Sequence, residues 1–325
     1  MTALPIDDAL PDLIAALERS RCVVLQAPPG AGKTTRVPLA LLKAGLCEGR
    51  ILMLEPRRLA ARAAAERMAQ TLGEKVGETV GYRMRGETKV SKATRIEVVT
   101  EGILTRMIQG DPALEGVGAV IFDEFHERSL NADLGLALVW EVRGALREDL
   151  VVLVMSATLD AEPVAAMMDA PIVTSEGRSF PVEMRWLERP ISKGVRFESA
   201  VAALIEQAVA ETEGGVLVFL PGEGEIRRVE GALKGSECDV RPLFGAMDFK
   251  AQRAAIGPSD RRQIVFATSI AVTSLTIPDF RVVVDGGRAR RARLDPNSGL
   301  SRLVTERVTK AHPNPRAGRT RPGGV

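Results

Sequence analysis

Two short stretches of the 325-residue chain carry residue types that work on phosphates. The first is Ala27, Pro28, Pro29, Gly30, Ala31, Gly32, Lys33 and Thr34; the second, about ninety residues later, is Asp123, Glu124, Phe125 and His126. A glycine-rich turn between a strand and a helix lets backbone N–H groups wrap phosphate oxygens at the positive end of the helix. Gly30 and Gly32 permit close approach, Lys33 supplies a point charge for the β and γ phosphates, and the Thr34 hydroxyl is a magnesium ligand. In the second stretch Asp123 would hold the magnesium, partly through water, and Glu124 would orient or deprotonate an attacking water. Together these are the parts for splitting a nucleoside triphosphate, with ATP and Mg2+ as the expected cofactors. Ala27 stands at the first place of GxxxxGK[ST], so seven of its eight places are met.

Ser156, Ala157 and Thr158 directly follow an apolar run at 151–155, which brings small hydroxyls to the crevice that holds Glu124. With the other two stretches present, Ser156 and Thr158 read as coupling residues, and His126 as a link between the nucleotide site and a neighbouring domain. The plainer alternatives are a helix cap for Thr158 and a core position for His126.

Positioning these groups requires strands that end at one edge of a sheet. Apolar runs at 22–25, 51–54, 95–99, 119–122 and 151–155 read as strands, and helical periodicity at 7–19, 34–42, 58–72, 102–109 and 131–146 separates them. Short apolar strands between amphipathic helices imply a parallel sheet covered on both faces. Prolines and a lapse of periodicity near 180–190 mark a boundary, giving domains 1–180 and 181–325. The second series has helices at 197–211 and 226–233 and strands at 216–220, 240–243 and 263–267. A turn at Asp295–Pro296–Asn297–Ser298–Gly299 joins possible strands at 288–294 and 300–308 into a hairpin.

Length and 45% hydrophobic content suit two α/β cores and exclude a disordered or fibrous chain. Forty-four Lys and Arg against 42 Asp and Glu leave a net charge of +2, which does not announce nucleic acid. From Arg281 onward, however, arginines thicken, including Arg288, Arg290, Arg291, Arg293, Arg302 and Arg307. Three scattered cysteines, Cys22, Cys47 and Cys238, exclude a CxxC pair and a disulfide framework. Asp7 and Asp8 stand where a signal peptide carries positive charge, and no apolar run is long enough for a bilayer, so the expected location is cytoplasmic, with no membrane contact.

The run IFDEFHERSLNAD at 121–133 resembles the DEAH-box branch of the superfamily 2 helicases. Further matches follow in that family's order: LEPRR at 54–58, TEGIL at 100–104, SAT at 156–158, VFLPG at 218–222, ATSIAVTSLTI at 267–277 and RAGR at 316–319. The resemblance implies two tandem RecA-like domains of the P-loop NTPase class, ATP at their interface and single-stranded nucleic acid crossing both, RNA in preference to DNA. It implies that Arg57, Thr100, Thr268 and Thr273 contact the phosphodiester backbone, which positions a strand without reading its sequence. Ordinary surface charge for Arg57 and helix capping for the threonines is the bland alternative. The resemblance also places the basic hairpin near the strand. Aromatic content of only 4% leaves little for base stacking, so binding should be sequence-tolerant and weaken steeply with salt. No obligate protein partner is inferable.

The chain departs from the family at the sixth motif, which there resembles QRAGRAGR and here reads KAHPNPRAGRT at 310–320. Arg316 and Arg319, or Arg319 alone, take the arginine-finger positions, and a misplaced finger costs up to 10³–10⁵ in rate. Val272 replaces a usual glutamate. The family's chains continue past this motif into a last strand and further domains, so the second domain is expected to lack its C-terminal strand. Two readings besides a working motor therefore stay open: an ATP-dependent clamp with little turnover, and an inactive fragment. A phosphate-loop ATPase unrelated to nucleic acid would leave LEPRR, TEGIL and ATSIAVTSLTI without a purpose.

Overall fold

Strand ends, not strand interiors, position the candidate chemistry, and four neighbouring strands set those ends side by side. The computed structural model describes residues 3–157, 161–176, 182–192, 194–233, 235–268, 279–296 and 298–308. The chain divides into two units, Met1–Ser179 and Phe180–Val325.

In the first unit a 3-10 turn (Pro5–Ala9) leads into α1 (Leu10–Ser20), then β1 (Cys22–Gln26), α2 (Lys33–Ala44), β2 (Arg50–Glu55) and α3 (Arg58–Leu72). There follow β3 (Val80–Met84), β4 (Glu87–Lys89), β5 (Ile96–Thr100), α4 (Glu101–Gly110), β6 (Val117–Phe122), α5 (Leu130–Ala145), β7 (Val151–Ser156), α6 (Ala161–Met167) and β8 (Ile172–Thr174). They form one eight-stranded sheet in the order β4-β3-β5-β2-β6-β7-β1-β8. Every pairing in it is parallel except β3 with β4. Alternation along the strands splits the core. Val23, Leu25, Ile51, Met53, Ile121 and Leu153 face one apolar cluster with α1, α2 and α3. Val24, Leu52, Leu54, Val120, Phe122, Val152 and Val154 face the other with α4, α5 and α6. Burial on both faces explains why these strands read as continuous apolar runs.

The second unit contains α7 (Phe197–Glu211), β9 (Gly215–Phe219), α8 (Glu223–Ala232), β10 (Asp239–Leu243), α9 (Phe249–Ala255), β11 (Gln263–Ala267) and β12 (Phe280–Asp285). Its strands pair in parallel in the order β10-β11-β9-β12. The antiparallel hairpin expected near 295 is present as β13 (Arg288–Leu294) and β14 (Ser301–Arg307). Its basic residues are partly committed to protein: Arg293 pairs with Glu306, Arg290 with Glu225, and Arg288 lies 4.2 Å from the Phe197 ring centroid.

The structure adds the β3–β4 edge, α6, β8, α9 and β12 to the elements read from periodicity. Gly81 hides β3: a Cβ there would meet Lys89 O at 2.5 Å, so the close β3–β4 crossing demands a residue that breaks the strand pattern. Among the described residues no helix is long and apolar enough to cross a membrane.

Candidate active site

Adjacent strands β2, β6, β7 and β1 deliver Glu55, Asp123, Ser156 and the 27–34 loop to one edge of the first sheet, where open α/β sheets bind ligands. The loop turns on Gly30 (φ 77°) and Gly32 (φ 95°), left-handed conformations that glycine adopts without strain. A Cβ on Gly32 would also stand 2.5 Å from Leu4 Cδ1. Pro28 and Pro29 donate no N–H, so amide donors for phosphate come from Gly30 onward. Two backbone bonds pin the loop: Ile6 N donates to Ala31 O at 3.1 Å and Ala27 N to Ser156 O at 2.9 Å. Gly32 caps α2, which places Lys33 and Thr34 in the helix's first turn.

The two stretches singled out in the sequence meet directly. Lys33 Nζ lies 3.0 Å from Glu124 Oε1, and the Thr34 hydroxyl donates to Asp123 Oδ2 at 2.5 Å. Glu124 sits in the left-handed region (φ 52°, ψ 32°), a costly place for a non-glycine residue. Its own N–H donates to Asp123 Oδ1 at 2.8 Å, so the strained turn is tied to the neighbouring carboxylate.

His126 bridges two strand ends. Ala157 N donates to His126 Nδ1 at 3.2 Å, which assigns the ring proton to Nε2, and Nε2 lies 3.3 Å from Glu124 Oε2. The histidine therefore connects Glu124 to the residue after Ser156. Ser156 is 4% exposed, and its carbonyl ties the phosphate loop to the end of β7. Thr158, Thr273, Val272, Arg316 and Arg319 lie outside the described residues.

Sequence reasoning missed Glu55. Register pairs Leu54 with Phe122, which sets Glu55 beside Asp123. Among the described residues Glu55 Oε2 has no hydrogen-bond partner. Glu55 is 1% exposed, Asp123 5%, Glu124 7% and Lys33 3%: three buried acids around one ammonium. Burial, then the charges of Asp123 and Glu124, push the Glu55 carboxyl well above the usual carboxylate range. Burial, then Glu124, also raise Asp123, against the pull of Lys33 and Thr34. Thr34 and Asp123 present hard oxygen atoms of the kind magnesium takes, while among the described residues no group of three or more His, Cys, Asp or Glu side chains is arranged to hold a metal ion.

Among the expected strand contacts, Arg57 forms an ion pair with Glu127, NH2 to Oε2 3.1 Å, a partner the sequence did not suggest. Thr100 occupies the position before α4, yet its hydroxyl makes no capping bond, against the helix-cap alternative. The neighbouring Glu101 accepts from Ser129 Oγ at 2.7 Å. Thr268 follows β11 in the second unit and its N–H donates to Leu243 O at 3.2 Å.

Comparison with known proteins adds to this geometry. A family model described as DEAD/DEAH box helicase matches residues 9–167. The chain is 53% identical to the ATP-dependent RNA helicase HrpB of Escherichia coli, across 98% of this chain and 40% of that protein. It is 34% identical to the ATP-dependent RNA helicase HrpA of the same organism, across 97% of this chain and 25% of HrpA. A crystal structure of the Escherichia coli DEAH/RHA helicase HrpB superposes with a TM-score of 0.90 at 52% identity, covering 97% of this chain and 41% of that one. The chain thus spans at most two fifths of the length of these curated relatives. Its fold is the mixed α/β, largely parallel architecture of the RecA-like helicase domains.

Proposed function

This chain belongs to the DEAD/DEAH box helicases, and from that premise we propose that it hydrolyses ATP to ADP and phosphate with Mg2+ while moving along single-stranded RNA. One observation supports this above the others. Lys33, Thr34, Asp123, Glu124 and His126 form a continuous network at the strand ends, with Ala157 as its last link.

In this reading Thr34 and Asp123 would hold the magnesium, which would supply positive charge to the phosphates. Lys33 is held by Glu124 when no nucleotide is bound, and the β and γ phosphates compete for its ammonium. Transfer of Lys33 to the phosphates leaves Glu124 to take a proton from the attacking water, as the γ phosphorus bonds to that water and parts from ADP. His126 Nε2 orients the Glu124 carboxylate, and through Nδ1 it reports on the segment after β7. Arg57, Thr100 and Thr268 contact the RNA backbone, and Thr273 joins them on the family pattern. Arg316 and Arg319 serve as the arginine fingers. RNA, in preference to DNA, follows from the RNA helicase names of both curated relatives.

The test is steady-state ATP turnover with and without single-stranded RNA, against Lys33→Ala as the blank. RNA-stimulated turnover well above the blank is expected. A rate equal to the blank under saturating ATP, Mg2+ and RNA would overturn the reading in favour of a clamp or an inactive fragment.

A further inference from the structure

We propose that Glu127 is a positioning residue that competes with RNA phosphates for Arg57, so that strand binding is sensed at the catalytic turn when the Arg57–Glu127 ion pair opens. This rests on the nucleic-acid reading above. Glu127 is the last residue of a single 3-10 turn, Phe125–Glu127, and the residue before that turn is Glu124. Both flanks are left-handed non-glycine residues, Glu124 at φ 52° and Arg128 at φ 51°. A three-residue turn strained at both ends is held by its contacts more than by intrinsic preference. At the catalytic end those contacts are Lys33 and His126 on Glu124. At the other end they are Arg57 on Glu127, with side chains 23% and 17% exposed, and Ser129 on Glu101, next to Thr100.

Two of the residues expected to touch phosphate, Arg57 and Thr100, thus lie in or beside contacts that hold the turn bearing Glu124. A phosphate that captures the Arg57 guanidinium breaks its ion pair with Glu127 and weakens one of the contacts at that end of the turn. Linkage makes the effect reciprocal: a nucleotide state that shifts Glu124 changes the affinity for RNA by the same factor.

The experiment is a double-mutant cycle on equilibrium binding of a fluorescein-labelled oligouridylate, read by anisotropy, with the full chain as wild type, Arg57→Ala, Glu127→Gln and the double variant. Glu127→Gln is expected to tighten RNA binding about two- to fivefold, the worth of a partly exposed ion pair. In the Arg57→Ala background it is expected to change nothing. A general effect of removing negative charge near RNA would persist in that background, so equal tightening in both, or none in the wild type, overturns the proposal. Glu127→Asp, which keeps the charge and shortens the reach, is expected to fall between and guards against a folding defect in the glutamine variant. In ATPase assays run with and without RNA, Glu127→Gln is expected to lower the fold-stimulation by RNA. Wild-type protein that binds no oligouridylate would instead remove the nucleic-acid reading itself.

Discussion

Among the described residues the first unit buries Lys33, Glu55, Thr94, Glu97, Asp123, Glu124, Ser156 and Ser175, whereas the second buries a single polar side chain, Gln252. The second unit resolves its one case fully, since Gln252 Nε2 donates to the carbonyls of Phe244 and Met247. Glu97 in the first unit is equally well provided, with Arg83 at 2.6 Å and Arg50 at 2.9 Å. Glu55, Asp123 and Glu124 share the Lys33 ammonium. Burying excess charge works against folding, so it is retained where a ligand makes up the balance. Partly exposed arginines hold main-chain carbonyls in both units: Arg147 reaches those of Ala113, Leu114 and Val117 in the first, and Arg262 those of Val209, Thr212 and Gly214 in the second. The difference lies in the buried charge, which among the described residues the first unit alone carries.

The sharpest break of that contrast is Glu124→Gln. It removes the proposed base and nearly nothing from the volume of the site, so ATP turnover is expected to fall about 10²–10⁴-fold. Nucleotide affinity, read with a fluorescent ATP analogue, is expected to hold or rise because Lys33 loses its competitor. A variant with turnover within threefold of wild type, a margin of roughly 0.65 kcal/mol, would show that Glu124 is not the base and that the charge cluster is structural.

Arg262→Ala probes the other side. It orphans the carbonyl of Val209 in the last turn of α7 and those of Thr212 and Gly214 just beyond it, and also removes the Thr212 hydroxyl bond at 3.0 Å. Charge-assisted bonds of this kind suggest a loss of about 2–4 kcal/mol. Hydrogen exchange should rise in α7 and β11 while β1, β6 and β7 keep their protection. An equal rise in both units would deny that the second unit's fastening is its own.

The sequence displayed the part of this contrast that depends on local order. A Gly-Lys-Thr turn between strand and helix, and an Asp-Glu pair after an apolar run, carry their geometry in neighbouring positions, and Lys33–Glu124 and Thr34–Asp123 form as those patterns require. Glu55 and Glu127 were invisible as site residues because their importance comes from register and turn geometry: the first needs β2 beside β6, the second a three-residue turn that faces Arg57. Elements were lost for similar reasons. Ile172–Thr174 is too short for a period, and Val80–Met84 is interrupted by the glycine that its close crossing requires.

The smallest expected effect concerns pH, and it has opposite sign in the two units. The Arg241 guanidinium, then the Ser259 hydroxyl, hold the Asp239 carboxyl below its usual range. A depressed carboxylate contributes stability that is present above its unfolded pKa and is lost as pH falls through the folded value. Glu55 and Asp123 are raised, so their contribution is present below the ordinary carboxylate pKa and is lost as pH rises through the folded values. Acidifying nucleotide-free and magnesium-free protein from neutral toward about pH 4, the ordinary carboxylate range, should therefore raise protection at the ends of β2 and β6. Further acidification should lower it in β10, where Asp239 and Arg241 join the strand to the carbonyls of Ala254 and Gly257. Hydrogen exchange corrected for intrinsic rates reads both. Glu55→Gln should flatten the first profile alone and Asp239→Asn the second alone. If both units lost protection together on acidification, and Glu55→Gln left the first profile unchanged, the surplus of buried acid at the strand ends would carry no proton that folding controls.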